Sequence, residues 1–282
     1  MDLGTDAAEL FVPDGTQEAA ALGRTTHLGI GAHQDDLEIM AIDGILQSYE
    51  REDAWFTGVV VTDGRGAPRA GLHADSSDEE MVLVRAEEQK KAAAVGKYSA
   101  QVLLGFPSEA VKNGAEQGPV EALTELLKRC RPQVVYTHSL MDKHDSHVGV
   151  AMKTIAAIRA LPTELRPAKL YGCEVWRDLD WLRYDDKVSF DCSDLVPLQM
   201  ELLGAFQSQI AGGKRYDLAV MGRRRAHATF SESHRVDEAD GMTFGVDMGP
   251  LMEDDALGID AFAQSIIRRF SDDVRDRIGR MS

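Results

Sequence analysis

The chain has 282 residues, of which 44% are hydrophobic and 28% are charged. This composition is typical of a soluble globular protein and excludes disordered, collagen-like and disulfide-stabilised classes. Lysine and arginine total 31 against 47 aspartate and glutamate residues, so the formal net charge is -16. An acidic chain repels nucleic-acid phosphates and anionic membrane surfaces. We therefore expect no nucleic-acid and no membrane partner, and the acidity favours an uncharged or cationic substrate.

The cysteines and the N-terminal residues indicate the compartment. Cys130, Cys173 and Cys192 lack C-x-x-C spacing, which argues against a structural zinc module and against a disulfide framework. The first fifteen residues are acidic and lack the basic start and apolar core of a signal peptide. No apolar run reaches the roughly 18 residues that a membrane span needs. We expect a cytoplasmic protein.

Along the chain, the predicted elements alternate between strands and helices. Residues 1–24 are expected to form an N-terminal arm, because Pro13 and Gly15 interrupt any early element. Hydrophobic patterning then predicts strands at 27–33, 55–61, 101–104, 133–137, 169–176 and 187–191. It predicts helices at 36–51, 79–95, 119–130, 147–161, 195–209 and 215–228.

Strands separated by helices of this length form parallel βαβ units with right-handed crossovers. The expected fold class is therefore α/β, with a Rossmann-like, mainly parallel sheet flanked by helices and an elaborated C-terminal portion. Because no linker or repeat divides the chain, we expect a single domain over residues 25–282.

Polar residues are concentrated where the predicted strands end. The richest clusters are residues 32–38 after the first strand, 62–66 after the second and 138–147 after the fourth. In parallel sheets, ligands bind at the carboxyl ends of the strands. Two of these clusters are rich in His and Asp, and imidazole and carboxylate ligands suit a zinc ion that keeps one position open for water.

Two motifs in these clusters carry a family resemblance. His33-Gln34-Asp35-Asp36 follows a strand, and Lys143-His144-Asp145-Ser146-His147 opens a later helix. This pattern resembles the LmbE/PIG-L family of zinc-dependent de-N-acetylases, which has A-H-P-D-D near the start and H-x-x-H in the middle. Further stretches agree, in order, over residues 27–210: Thr62-Asp63-Gly64, Arg85-Ala86-Glu87-Glu88, Leu104-Gly105-Phe106-Pro107, Glu174-Val175-Trp176, Asp191-Cys192-Ser193-Asp194 and Gln207-Ser208-Gln209.

The chain departs from the family pattern at four places, one of which is Met40-Ala41-Ile42-Asp43 in place of a small glycine-rich turn in the first helix. Gln34 replaces the family's proline, and Leu37 stands where an acidic residue commonly follows the second aspartate, although Glu38 is adjacent. The inner aspartate of the middle motif is Asp145, one position earlier than in H-P-D-H. None of these changes removes a residue that the resemblance assigns to the metal or to the base.

The resemblance implies a hydrolase that removes an N-acetyl group from an amino sugar such as N-acetylglucosamine, or from its conjugate, by attack of a zinc-bound water assisted by an aspartate base. It implies one Zn²⁺ per chain, for which other divalent metals can substitute, and a small N-acetylated sugar as partner, in a monomer or a homo-oligomer.

The resemblance also implies a role for each residue of the site. Asp35 is the implied base. His144 is the expected second catalytic group, which stabilises the oxyanion, and Arg85 is the expected substrate-binding residue. The implied metal ligands are His33, Asp36 and His147.

Other functions remain open at this point. The same metal site would serve an amidase of a thiol-sugar conjugate, and a non-catalytic sugar-binding protein could share the fold. Asp35 argues against the binding protein, which needs no base beside a metal. A nucleotide-binding protein is disfavoured because Gly29 and Gly31 lack a third glycine and the following turn is acidic. We expect the loops at 64–80 and 210–250 to determine specificity.

Overall fold

The computed structural model of the protein describes residues 5–282. Within this range the chain forms eight strands and twelve α-helices. The strands are β1 (Glu9–Phe11), β2 (His27–Gly31), β3 (Phe56–Thr62), β4 (Ala100–Phe106), β5 (Val134–His138), β6 (Lys169–Cys173), β7 (Val188–Asp191) and β8 (Met242–Asp247). The helices are α1 (Glu18–Gly23), α2 (Asp36–Met40), α3 (Ile42–Ser48), α4 (Asp78–Val95), α5 (Ser108–Lys112), α6 (Gly118–Cys130), α7 (Asp145–Arg159), α8 (Val196–Gly204), α9 (Gln207–Ala211), α10 (Tyr216–Phe230), α11 (Pro250–Glu253) and α12 (Ile259–Gly279).

All eight of these strands belong to one sheet, in the order β1-β4-β3-β2-β5-β6-β8-β7. The five central strands, from β4 to β6, run parallel. β1 pairs antiparallel with β4 at one edge, and β8 and β7 continue the other edge in antiparallel pairs. The expected α/β class with a mainly parallel sheet is confirmed. The chain runs from β2 outward through β3 and β4, then returns to β5 and β6 on the other side, so the strand order reverses between β2 and β5.

Apolar side chains cover both faces of the parallel strands. In β3, Val59 and Val61 join the core that α1, α6 and α7 cover. Phe56 and Val60 join the opposite core, which α2, α3, α4 and α8 cover. Burial on both faces explains why this strand is a continuous apolar run in the sequence. Each such side chain stabilises the fold by about 1.5–3 kcal/mol when fully buried.

The N-terminal segment is more ordered than the expected arm over residues 1–24. From Thr5 onward it contains β1 and α1, whereas residues 1–4 lie outside the described range. Leu10 of β1 lies opposite Val102 of β4, and Leu22 of α1 is buried in the core. Three residues of strand have little pattern of their own, because their stability comes from pairing with β4.

Several other element boundaries differ from the sequence prediction. The helix expected over 36–51 is two helices that meet at Ala41, and the helix expected over 195–209 is interrupted at Ala205 and the buried Phe206. Patterning did not predict α5, β8, α11 or α12. β8 lies between β6 and β7 in the sheet, so its partners are distant in sequence. Across residues 5–282, no helix has both the length and the apolar character needed to cross a membrane.

Candidate metal centre and active site

The candidate site lies at the carboxyl ends of β2 and β5. After β2 the chain turns through residues 32–35 into α2, and after β5 it passes through residues 139–144 into α7. α2 packs on one face of the sheet and α7 on the other. Because the two connections diverge, a crevice opens between them, as is usual where the strand order of an α/β sheet reverses.

Two glycines in neighbouring strands hold α2 close to the sheet. A Cβ atom at Gly29 of β2 would lie 3.0 Å from Leu37 Cδ2, and one at Gly58 of β3 would lie 2.8 Å from Leu37 Cδ1. Leu37 therefore fills the space that both glycines leave, and Gly29 has a packing role. Since Asp36 precedes Leu37, this contact also fixes the depth of the Asp36 carboxylate.

Three predicted ligands converge with the spacing of a tetrahedral metal site. His33 Nδ1 lies 3.3 Å from Asp36 Oδ2 and 3.2 Å from His147 Nε2, and His147 Nε2 lies 3.3 Å from Asp36 Oδ1. Tetrahedral ligands at zinc distances of about 2.0–2.1 Å are about 3.3–3.4 Å apart. The three side chains thus fit one divalent ion of this kind.

Asp142 orients His147 from behind. Asp142 Oδ2 lies 3.1 Å from His147 Nδ1, which assigns the ring proton to Nδ1 and directs Nε2 at Asp36. The Asp142 carboxylate also accepts hydrogen bonds from the backbone N–H groups of Trp176 and Arg177, at 3.2 and 3.1 Å. Burial raises the pKa of Asp142, but the hydrogen bond and charge of His147, together with His138 and the Lys143 N–H, outweigh burial, so the pKa is below its ordinary value. Sequence analysis gave Asp142 no role, because a lone aspartate in a polar loop has no distinctive pattern.

His138, the last residue of β5, supports the centre from a buried position. Its ring stacks on that of His147, with centroids 3.8 Å apart. Its Nε2 accepts a hydrogen bond from the Ala32 N–H at 2.9 Å, so the lone pair that a metal would need is already used. The same nitrogen lies 3.3 Å from Asp36 Oδ2. Burial raises the pKa of Asp36, but the surrounding histidines hold this pKa well below its ordinary value.

Asp35 points away from the three ligand atoms. Its φ of 85° lies in the left-handed region, which aspartate adopts more readily than most residues do. The turn sends its carboxylate toward Arg85, whose Nη2 lies 3.2 Å from Asp35 Oδ2. Its backbone N–H donates to Gln89 Oε1 at 3.2 Å. Burial raises the pKa of Asp35, and Asp36 adds to this, although Arg85 acts in the opposite direction.

Arg85 is buried on α4 and holds the turn that carries Asp35. Besides Asp35, it donates to the backbone oxygen of Gln34. Its Nε and Nη1 atoms are buried, and no hydrogen-bond partner for them is found in residues 5–282. Arg85 also lines the cavity in front of the candidate metal centre. It therefore positions Asp35 and has two further donor atoms without a partner in the described residues.

His144 stands at the N-cap of α7, directly before the helix that carries His147. Its ring stacks on that of His147 with centroids 4.6 Å apart and meets the ring of His33 edge-on at 4.9 Å. Burial lowers the pKa of His144, and the charge of His33 lowers it further. Nitrogen atoms of His33, His144 and His147 lie within 4.8 Å of one another. His144 therefore borders the candidate centre despite the shifted aspartate in its motif.

A cavity of about 520 Å³ opens in front of these residues. His147 is fully buried behind it. Residues from both expected specificity loops form part of its wall, namely Gly64, Gly66, Ala67, Pro68, Lys214 and Tyr216. The structure thus brings all six predicted site residues together, and five of them line the cavity: His33, Asp35, Asp36, Arg85 and His144.

The stretch that holds the six predicted site residues also matches a protein family. Residues 28–158 match the model of the family described as PIG-L, GlcNAc-PI de-N-acetylase. Over these residues the chain is similar to PIG-L proteins. No curated protein sequence matches the chain.

Solved structures share the fold of this chain at low sequence identity. A conserved protein of Thermus thermophilus has a TM-score of 0.60 at 18% identity, with 79% of this chain and 94% of that chain covered. The 4-carboxy-2-hydroxymuconate hydratase GalB of Pseudomonas putida has a TM-score of 0.61 at 17% identity, with 79% of this chain and 96% of that chain covered. The N,N'-diacetylchitobiose deacetylase of Pyrococcus horikoshii has a TM-score of 0.58 at 19% identity, with 78% of this chain and 83% of that chain covered. A hydratase and a deacetylase share this fold, so the fold alone does not identify the reaction.

Residues beyond the matched PIG-L stretch complete the cavity. Trp176 follows β6, and Lys214 and Tyr216 lie at the start of α10. Farther back, Arg224 of α10 donates to the backbone oxygens of Glu38 and Ile39 at the end of α2, at 2.8 and 3.3 Å. The C-terminal portion of the chain therefore builds one wall of the cavity and caps the helix that begins at Asp36.

Proposed function

We propose that this protein is a metal-dependent hydrolase that removes an N-acetyl group from an amino sugar or an amino-sugar conjugate. The supporting observation is the division between Asp36, which joins two histidines at ligand spacing, and Asp35, which faces the same cavity from the side of Arg85. A non-catalytic sugar-binding protein has no use for this second buried carboxylate. The family description and the Pyrococcus deacetylase agree with this class of reaction.

The proposed ligand set consists of His33, Asp36 and His147. Two imidazole nitrogens and one carboxylate suit zinc, and three protein ligands leave an open position. A zinc ion bound there supplies a water of lowered pKa and polarises the amide carbonyl. Asp142 fixes the tautomer of His147 that this ligand set requires.

Asp35 is the proposed base. Because burial raises its pKa, its carboxylate can take the proton of the attacking water and later pass it to the leaving amine. Arg85 holds this carboxylate at the cavity wall. His144 is proposed to donate a ring N–H to the oxygen of the amide as negative charge develops on it. Its ring is fixed for this by stacking on His147.

The compartment and metal content follow as part of the same proposal. We infer one ion per chain and a reducing, cytoplasmic setting, because the three cysteines are free and buried within the fold. Burial keeps these thiols away from the cavity chemistry. The partner is proposed to be a small N-acetylated sugar.

The test is release of acetate by metal-loaded protein from N-acetylglucosamine, N,N'-diacetylchitobiose and N-acetylglucosamine conjugates. Acetate and free amine should form in equal amounts, and His147→Ala should lose both metal and activity. A sugar conjugate whose amide carries a thiol-bearing acyl group is assayed beside them, and its cleavage without acetate release from the N-acetylated sugars would favour the amidase alternative. Retained metal and activity in His147→Ala would contradict the ligand assignment.

A further inference from the structure

The outer wall of the cavity pairs an aromatic surface with a cation. Lys214 Nζ lies 5.1 Å from the centroid of the Trp176 ring. Tyr216 meets the same ring edge-on, with centroids 6.3 Å apart. These three residues, here called the outer wall, all line the cavity and all lie beyond the stretch that matches the family model. The site described above assigns none of them a role.

The carboxylates that line the cavity already have partners. Asp35 lies 3.2 Å from Arg85, and Asp36 faces the histidines of the candidate metal centre. Glu109 lies 3.5 Å from Lys112. For Lys214, by contrast, no carboxylate of residues 5–282 forms an ion pair. Lys214 is half-buried at the cavity wall, without a counter-charge from the described part of the chain.

This arrangement has a physical consequence for the ligand. The chain as a whole is strongly acidic, with a net charge of -16, so an unpaired cation beside the site is a local exception to the overall field. The face of Trp176 stabilises the ammonium by a cation–π interaction, which leaves its hydrogen-bond donors free. Arg85 adds two buried donor atoms without partners in residues 5–282. An anionic group would satisfy such donors.

We propose that Lys214, held against the Trp176 ring, binds a phosphate or carboxylate substituent of the substrate. This inference rests on the proposed function, because it names the substrate class of the same site: an N-acetylated amino sugar that carries an anionic group. The acidity of the whole chain favours an uncharged or cationic substrate, but the charges at the cavity wall outweigh it because they act at contact distance.

The test is isothermal titration of the metal-loaded protein with N-acetylglucosamine, N-acetylglucosamine 6-phosphate and N-acetylmuramic acid. The Asp35→Asn background prevents release of acetate during the titration. The two anionic sugars separate phosphate from carboxylate recognition. A charged hydrogen bond contributes about 1.5–3 kcal/mol, so at least one anionic sugar should bind about 10- to 100-fold more tightly than the neutral one.

Variants test whether Lys214 causes the preference for the anionic sugars. Lys214→Gln should remove it and Lys214→Arg should retain it. Lys128→Gln is the matched control, because Lys128 is exposed on α6 and lies outside the cavity lining. Trp176→Ala should reduce the preference for the anionic sugars, because it removes the ring that holds the Lys214 ammonium.

Equal affinity for the three sugars, binding of none, or a preference that survives Lys214→Gln would overturn the proposal. Acetate release by the wild-type protein is measured separately. Preferential binding of an anionic sugar without acetate release would leave this inference standing and refute the proposed reaction. Acetate release combined with equal affinities would support the proposed reaction and refute this inference.

Discussion

Asp35 and Asp36 are neighbours in sequence that the structure places in different electrostatic surroundings. Histidines surround Asp36, and they hold its pKa well below the ordinary value. Asp35 faces Arg85 at the cavity wall, where burial raises its pKa. The left-handed φ of Asp35 produces this separation, because it turns the two carboxylates to different sides. One residue can then bind a cation while the other accepts a proton.

Asp35→Asn tests this division at the residue scale. The amide cannot accept a proton, so kcat should fall roughly 10²- to 10⁴-fold, while the metal content stays at the wild-type value. Acetate release and elemental analysis of the same sample measure the two quantities. Asp53→Asn, at an exposed aspartate remote from the cavity, is the control. Near-normal turnover in Asp35→Asn would assign the base to another group.

Asp142→Asn tests the orientation of His147. Asparagine has nearly the same shape, but it is a weaker acceptor for the His147 Nδ1 proton, so His147 would be less basic and less firmly oriented. Metal affinity should fall about 10- to 100-fold. Competition with a chromogenic chelator measures the affinity. Unchanged affinity would mean that Asp142 only fastens the backbone of Trp176 and Arg177.

At the scale of elements, α7 is positioned by a close approach to α5. A Cβ atom on Gly149 of α7 would lie 2.5 Å from the backbone oxygen of Val111 in α5. The obstacle is backbone, so it cannot move aside as the end of a side chain can. Both helices contribute to the cavity, α7 through Ser146 near its start and α5 through Ser108, Glu109 and Lys112.

Gly149→Ala should therefore destabilise the protein, by about 1–3 kcal/mol as for other overpacked sites. Glycine to alanine inside a helix normally stabilises by roughly 1 kcal/mol. Gly222→Ala in α10 is the matched control, because nothing lies within 4 Å of its Cβ position, and it should show this normal gain. Denaturant unfolding measures the free energy of unfolding of both variants. If Gly149→Ala were stabilised as Gly222→Ala is, the close approach of α7 to α5 would be contradicted.

On the scale of the whole molecule, Glu174 ties the C-terminal portion to the end of β6. This buried carboxylate accepts hydrogen bonds from Thr243 and Phe244 of β8, at 2.9 and 3.1 Å, and from the Leu179 N–H at 2.8 Å. His227 Nε2 of α10 lies 3.0 Å from it. Burial raises the pKa of Glu174, but these hydrogen bonds outweigh burial and lower it.

A lowered carboxyl pKa predicts a loss of stability in acid. The contribution of Glu174 is fully present above the unfolded pKa of about 4.3 and is lost as the pH falls through the folded value. Glu174→Gln should lower the free energy of unfolding at pH 7 by about 1–3 kcal/mol and flatten its decline below about pH 4.3. Denaturant titrations between pH 3 and pH 7 measure both effects. If the free energy of unfolding of the variant declined in acid as steeply as that of the wild-type protein, other carboxylates would cause the decline.

Removal of the metal should affect the whole fold, because the proposed ligands join the ends of β2 and β5. An ion at 100 times its Kd stabilises a protein by about 2.7 kcal/mol, which corresponds to about 5–10 °C in Tm for a chain of this size. Thermal unfolding with and without a chelator should show this shift. The shift in Tm should be much smaller in His147→Ala. An equal shift in the wild-type protein and in His147→Ala would place the metal elsewhere.

The local sequence determined the parallel sheet and the membership of the candidate site. Apolar strands alternate with helices along the chain, and parallel strands all present their carboxyl ends at one edge, so the residues from His33 to Asp36 could be expected to meet His144 and His147. Such inferences depend only on periodicity and on the residues that directly follow a strand. The family resemblance identified Arg85 by its motif.

Tertiary structure alone decided the contacts between segments with no shared local pattern. Nothing near Asp142 in the sequence indicates that it orients His147. The position of β8 between β6 and β7, the hold of Arg224 on α2, and the meeting of Trp176 with Lys214 all join residues far apart in the chain. Hydrophobic periodicity records which face of an element is buried, but the partner of each face depends on how the whole chain packs, and these contacts arise from that packing.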